Sequence, residues 1–174
     1  MSIHIAILKH GFFDIMLCYK YCTMTIDEFK LLKQKADKDV KMPDTFEAIM
    51  TKNNLLPALV QDWTKLYNNQ KFVYSHLNIE LMEIYGDIYK CYKFSRQTTD
   101  LQSKYGITVN QIWDNAKGIE TQINCTPAYI AKMKEVNQQK YILEFIESTL
   151  ENIKNLAFTI KNYIEYKKIL SATF

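Results

Sequence analysis

The sequence predicts an all-α protein: long helices, with a helical N-terminal body and a long C-terminal oligomerisation helix. Two stretches, near residues 58–94 and 126–168, carry apolar side chains at alternating steps of three and four, the period of one helix face. Four Gly and three Pro in 174 residues leave little material for the tight turns of a β-sandwich. Helix-start signals stand at Thr25 and at Thr126-Pro127.

Residues 1–23 stand apart. Ile3, Ile5 and Ile7 hint at a short strand, and residues 12–21 are apolar or aromatic without a sustained period. Met24 lies just before a helix start. The segment therefore reads either as an extension upstream of a natural start at Met24 or as an arm that docks on the body.

Thr25 as N-cap with Glu28 three residues later forms a capping box, opening a helix expected to reach about residue 38. The stretch from Val40 to Asp44 breaks it, and Asp44 is expected to cap a short helix through Met50. Asn53-Asn54 and Pro57 mark a second connection. The next helix, from about 58 to 94, keeps Leu59, Trp63, Leu66, Gln70, Val73, Leu77, Leu81, Ile84 and Ile88 on one face. Gly86 lies inside it as a bend or close-approach point, at about 1 kcal/mol relative to Ala. Residues 95–100 form a polar connector to a shorter helical region, 109–122, that contains Trp113.

The last helix opens at Thr126, with Pro127 at its first position. Leu143, Ile146, Leu150, Ile153, Ala157, Ile160 and Ile164 make a heptad seam along it. Roughly 40 helical residues span about 60 Å, long for a compact monomer to cover, which points to self-association. The 58–94 helix is the alternative partner within the chain. Phe145, Thr149, Leu156, Tyr163 and Tyr166 form a second stripe, suited to a helix touching one neighbour in its own chain and another across a subunit interface.

Composition excludes little else. Net charge is +3, and Arg96 is the single arginine, so charge alone names no nucleic-acid partner. Cys18, Cys22, Cys91 and Cys125 are scattered, and His4, His10, Cys18 and Cys22 fit no standard zinc spacing, so no metal or cofactor is expected. No segment approaches the roughly 20 apolar residues of a membrane span, and a cytosolic protein is expected. His76 and Glu80 are one turn apart without further ligands and read as a solvated pair. No phosphate loop, dinucleotide fingerprint or hydrolase elbow is present, and no enzyme is expected.

One segment combines rings and cations. Tyr85, Tyr89 and Tyr92 lie along one helical stripe, with Lys90, Lys93 and Arg96 every three residues beside it. Flat rings stack on bases and cations neutralise phosphates, the combination that holds single-stranded nucleic acid. Half-buried packing tyrosines beside a solvated lysine face give the same pattern.

The order of segments resembles the UvsY-type recombination mediator family of tailed phages. Residues 141–146, 150–154 and 157–162 resemble its C-terminal helix, and residues 61–67 around Trp63 its short aromatic segment. Tyr92-Lys93-Phe94-Ser95 resembles the aromatic-serine end of its DNA-binding helix, and residues 24–41 its N-terminal helix. Of the family's two basic positions before that end, Lys90 occupies the second and Ile88 stands at the first.

The resemblance implies a non-enzymatic protein in the cytoplasm of an infected bacterial host. It implies residues 24–122 as a helical region binding single-stranded DNA and residues 123–174 as the helix that builds a ring-like homo-oligomer. It implies as partners a RecA-like recombinase, loaded onto DNA already covered by single-strand-binding protein. An oligomeric helical assembly protein without DNA binding is the alternative.

Overall fold

The computed structural model describes residues 23–94, 97–109 and 115–172. Over these the fold is all-α: α1 (Ile26–Val40), α2 (Phe46–Lys93), α3 (Thr99–Tyr105), α4 (Ala116–Cys125) and α5 (Pro127–Ala172), with no strand among the described residues. Residues 1–22, with the hinted strand and the proposed arm, lie outside them, as do Arg96 and Trp113.

α1 begins as its sequence predicts. The Glu28 backbone N–H donates to Thr25 Oγ1 at 3.3 Å, and the Thr25 N–H donates to Glu28 Oε2 at 2.8 Å. This reciprocal cap satisfies two otherwise orphaned donors and contributes about 1 kcal/mol.

α2 departs from expectation. Thr45, not Asp44, caps it, accepting from the Ala48 N–H at 3.3 Å, and the helix continues for 48 residues straight through Pro57. An interior proline costs about 3 kcal/mol. Ile49 and Leu56 before it and Trp63 after it are all buried in one apolar cluster. Burying each such side chain contributes about 1.5–3 kcal/mol, so together they outweigh the lost hydrogen bond. Pro57 itself faces solvent.

α2 and α5 run antiparallel along nearly their whole lengths, about 70 Å each at 1.5 Å per residue. Ring contact between Phe46 and Tyr163 marks one end, at 6.3 Å between centroids. Tyr67 then reaches Glu147, Gln70 meets Gln139, Lys132 pairs with Glu80, and Tyr85 meets Tyr129. Tyr92 and Thr126 close the other end, their hydroxyls 3.5 Å apart. The α5 start lies where predicted, but the Thr126 hydroxyl donates back to the Gln122 carbonyl of α4 at 2.9 Å.

This pairing revises the reading of the α5 seam. Ile146, Leu150, Ile153, Ile160 and Ile164 are buried within the chain, in one cluster with Leu56 and Trp63 of α2 and with Leu32 and Ala36 of α1. Leu143 and Ala157 are half-buried edges of that face. Thr149 and Leu156, assigned to a second stripe, are buried as well, whereas Tyr166 is exposed. Seam and second stripe thus form one broad face, and α2 is long enough to cover it.

α1 lies across this end of the hairpin. Phe29 packs edge-on against Tyr141 and Phe145, and Trp63 Nε1–H donates to Asp39 Oδ2 at 2.9 Å. A second cluster, Ile88, Cys91, Ile107, Ile119 and Ile123, closes the other end, where α3 and α4 make the return from α2 to α5.

A polar belt separates the two clusters. Gln139, 1% exposed, accepts from Gln70 Nε2 at 2.7 Å and from the Met24 backbone N–H at 3.3 Å, and donates to the Met24 carbonyl at 3.1 Å. Farther along, Lys132 bridges Glu80 of α2 and Glu135 of its own helix, and Glu80 also meets His76 at 3.2 Å. The Lys132 hydrogen bond holds the Glu80 carboxyl below its ordinary range. Burial depresses the Lys132 ammonium, yet the two carboxylates together raise it above its usual value.

Two outcomes follow from this belt. Gln139→Leu leaves the Gln70 amide and the Met24 backbone groups without partners and should destabilise the chain by about 1–3 kcal/mol in urea unfolding. Adding Gln70→Leu should recover part of that loss, and a single variant as stable as wild type would contradict the latch. Glu80 has a depressed folded pKa, so its contribution is present above the ordinary carboxylate range and fades as pH falls through the folded value. The stability gap between wild type and Glu80→Gln should therefore be open at pH 7 and close toward pH 3.

Candidate nucleic-acid interface

The tyrosine–lysine segment forms the last two turns of α2. Ile88 and Cys91 point into the α3–α4 cluster and are fully buried. Helical spacing then places Tyr85, Tyr89 and Tyr92 at the rim of that cluster, half-buried against it. Tyr85 stacks on Tyr89 with centroids 6.5 Å apart and meets Tyr129 of α5 at 6.0 Å. Burial, then the nearby Glu120 carboxylate, pushes the Tyr85 hydroxyl up. These three rings are packing residues at the hairpin's end and offer only their edges to a ligand. Burial also raises the Cys91 thiol, so it is no reactive site.

The lysines are the exposed part. Lys93 Nζ lies 5.6 Å from the Tyr89 ring and 5.5 Å from the Phe94 ring, and Phe94 is 49% exposed. Lys90 Nζ is 3.6 Å from Asp87 Oδ1. Arg96 lies outside the described residues, so its expected place in the stripe is untouched by this geometry.

The fold adds groups that the sequence pattern does not join. α3 brings Lys104 to 3.6 Å from Asp87 Oδ2 and Tyr105 O–H to 2.9 Å from the same oxygen, as donor. Lys104 Nζ also lies 4.7 Å over the Tyr105 ring. Its ammonium is held above the usual range, first by Tyr105 and then by Asp87. The signal for this return is Gly106. Its φ of 62° is the left-handed conformation that ends a helix, and its N–H bonds back to Gln102 and Ser103. Ile107 follows, its N–H donating to the Gln102 carbonyl at 2.8 Å, and its side chain enters the cluster.

Three ammonium groups, Lys90, Lys93 and Lys104, thus surround one carboxylate, Asp87, at the end of a long helical hairpin. Cations of this kind bind phosphate as point charges, and the open face of Phe94 is of a size to stack on a base. The arrangement contains no nucleophile–base pair.

Elsewhere, His76 and Glu80 belong to the structural bridge with Lys132. Among the described residues no group of three or more His, Cys, Asp or Glu side chains is placed to hold a metal ion. His4, His10, Cys18 and Cys22 lie outside them. No helix among the described residues is long and apolar enough to cross a membrane. Comparison of the chain with models of known families, with curated proteins and with solved structures finds no match.

Proposed function

We propose that this chain is a UvsY-like recombination mediator. It binds single-stranded DNA as a homo-oligomer and promotes loading of a RecA-like recombinase onto DNA covered by single-strand-binding protein. It would serve recombination, repair and recombination-dependent replication, without catalysing a reaction. The observation that carries this reading is the exposed Lys90, Lys93 and Lys104 cluster beside the open Phe94 ring. The resemblance in segment order supports it independently.

Each chain offers a weak site, because Asp87 offsets part of the positive charge. Repeating it around a homo-oligomer raises affinity by avidity. A strand held on several such sites is bent or wrapped, which weakens the grip of a resident binding protein.

A second reading has its own observation. The packed tyrosine rings favour an assembly protein whose hairpin end is structural, with no DNA role. Fluorescence anisotropy of a labelled single strand at rising salt separates the two. Log affinity should fall with log salt by about 0.7 per phosphate contacted, so a Lys90/Lys93/Lys104 triple alanine variant should flatten the slope by about two. Binding of the triple variant as tight and as salt-sensitive as wild type would sink the site. Absence of binding by wild type would leave the assembly reading.

A further inference from the structure

α2 has a second face. Its buried column, Ile49, Leu56, Trp63, Gln70, Leu77 and Cys91, faces the core at seven-residue spacing. On the opposite side of the same turns Phe72, Ile79 and Met82 are 59%, 57% and 75% exposed. With Ser75 and Gly86 they follow steps of three, four, three and four, the spacing of an a/d seam. A Cβ built at Gly86 would meet nothing within 4 Å. Nothing inside the described chain therefore requires a glycine there, although it costs the helix about 1 kcal/mol.

We infer that this face docks on a second copy of the chain, α2 against α2, antiparallel about a two-fold axis level with Leu77. Size and charge select that occupant and that register. Phe72 lies against Met82 of the partner subunit, and Ser75 against Ile79 of the partner subunit. Asn68 fills the space left at Gly86 of the partner subunit. On one flank Asp62 meets Lys90 of the partner subunit, and the two-fold axis repeats every pair. A parallel pairing brings Asp62 beside Pro57 and Lys71 beside His76, with no ion pair.

The inference deepens the self-associating part of the proposed function and is independent of DNA binding. One helix pair of this length makes a modest interface, so the dimer is weak and concentration-dependent.

Sedimentation equilibrium of the full chain, without DNA, tests it. Wild type should dimerise with rising concentration, and Ile79→Lys should be monomeric with unchanged helical content and thermal midpoint. Asp62→Lys should weaken the dimer about tenfold, and adding Lys90→Asp should restore most of that loss. A wild type that stays monomeric overturns the inference, as does an Ile79→Lys variant with unchanged mass. Loss of thermal stability in that variant would show the face is covered within one chain, which also overturns it. A charge swap that fails to restore association rules out the antiparallel register.

Discussion

The register between α2 and α5 is the constraint on which the rest depends. Isoleucines and leucines on two long helices slide against each other at modest cost, because one apolar column resembles the next. The Gln70–Gln139 pair removes that freedom. Both amides are buried, 5% and 1% exposed, and a slip of one turn would strand them against hydrocarbon. An unpaired buried amide costs about 1–3 kcal/mol. The same Gln139 binds both backbone groups of Met24, so the latch also fixes where α1 enters. One side chain thereby sets the position of three helices.

That register decides what stands at the hairpin's far end. With α2 and α5 locked, α3 and α4 have a fixed gap to bridge, and their buried isoleucines dock on Ile88 and Cys91. Two tyrosine hydroxyls are consumed in this closure: Tyr92 beside Thr126, and Tyr105 on Asp87. The cations are left outside. Ile88 shows the same logic. An apolar residue at a position where the resembling family is basic is here the centre of a core cluster, fully buried. A lysine there would need its charge desolvated, and the positive charge that the hairpin end presents comes instead from Lys104 on α3.

Local signals in the sequence were legible where they act locally. Thr25 with Glu28, and Pro127 after Thr126, mark helix starts because caps involve neighbours in the chain. The isoleucine period of α5 was legible too. What periodicity does not carry is the identity of the partner. Ile146 and Ile153 would look the same facing α2 or another subunit, and Thr149 and Leu156 join their face only because α2 and α1 are both there. Pro57 misled for a related reason: its cost is local, whereas the burial of Ile49, Leu56 and Trp63 that overrides it is tertiary. The Lys104–Asp87 contact was illegible because it depends on α3 turning back at Gly106, a fold-level event marked by one small residue.

The shape of the hairpin explains where apolar surface is left over. α1 adds a layer at one end, through Leu32, Ala36 and Phe29, and α3 and α4 add one at the other, through Ile107, Ile119 and Ile123. Between these ends, around Phe72 to Met82, the printed packing of α2 is with α5 alone, through Leu77, Gln70 and the Glu80–Lys132 bridge. Two helices hide only the faces they turn to each other, so the outer side of α2 faces solvent in this middle stretch. Polar residues would satisfy that position at no cost. Phe72, Ile79 and Met82 stand there instead, in step with Ser75 and Gly86, which is the pattern of a helix apolar on two sides. Self-association suggested by the α5 seam therefore transfers to α2: the seam's apolar area is consumed inside the chain, and the area left over lies on its partner.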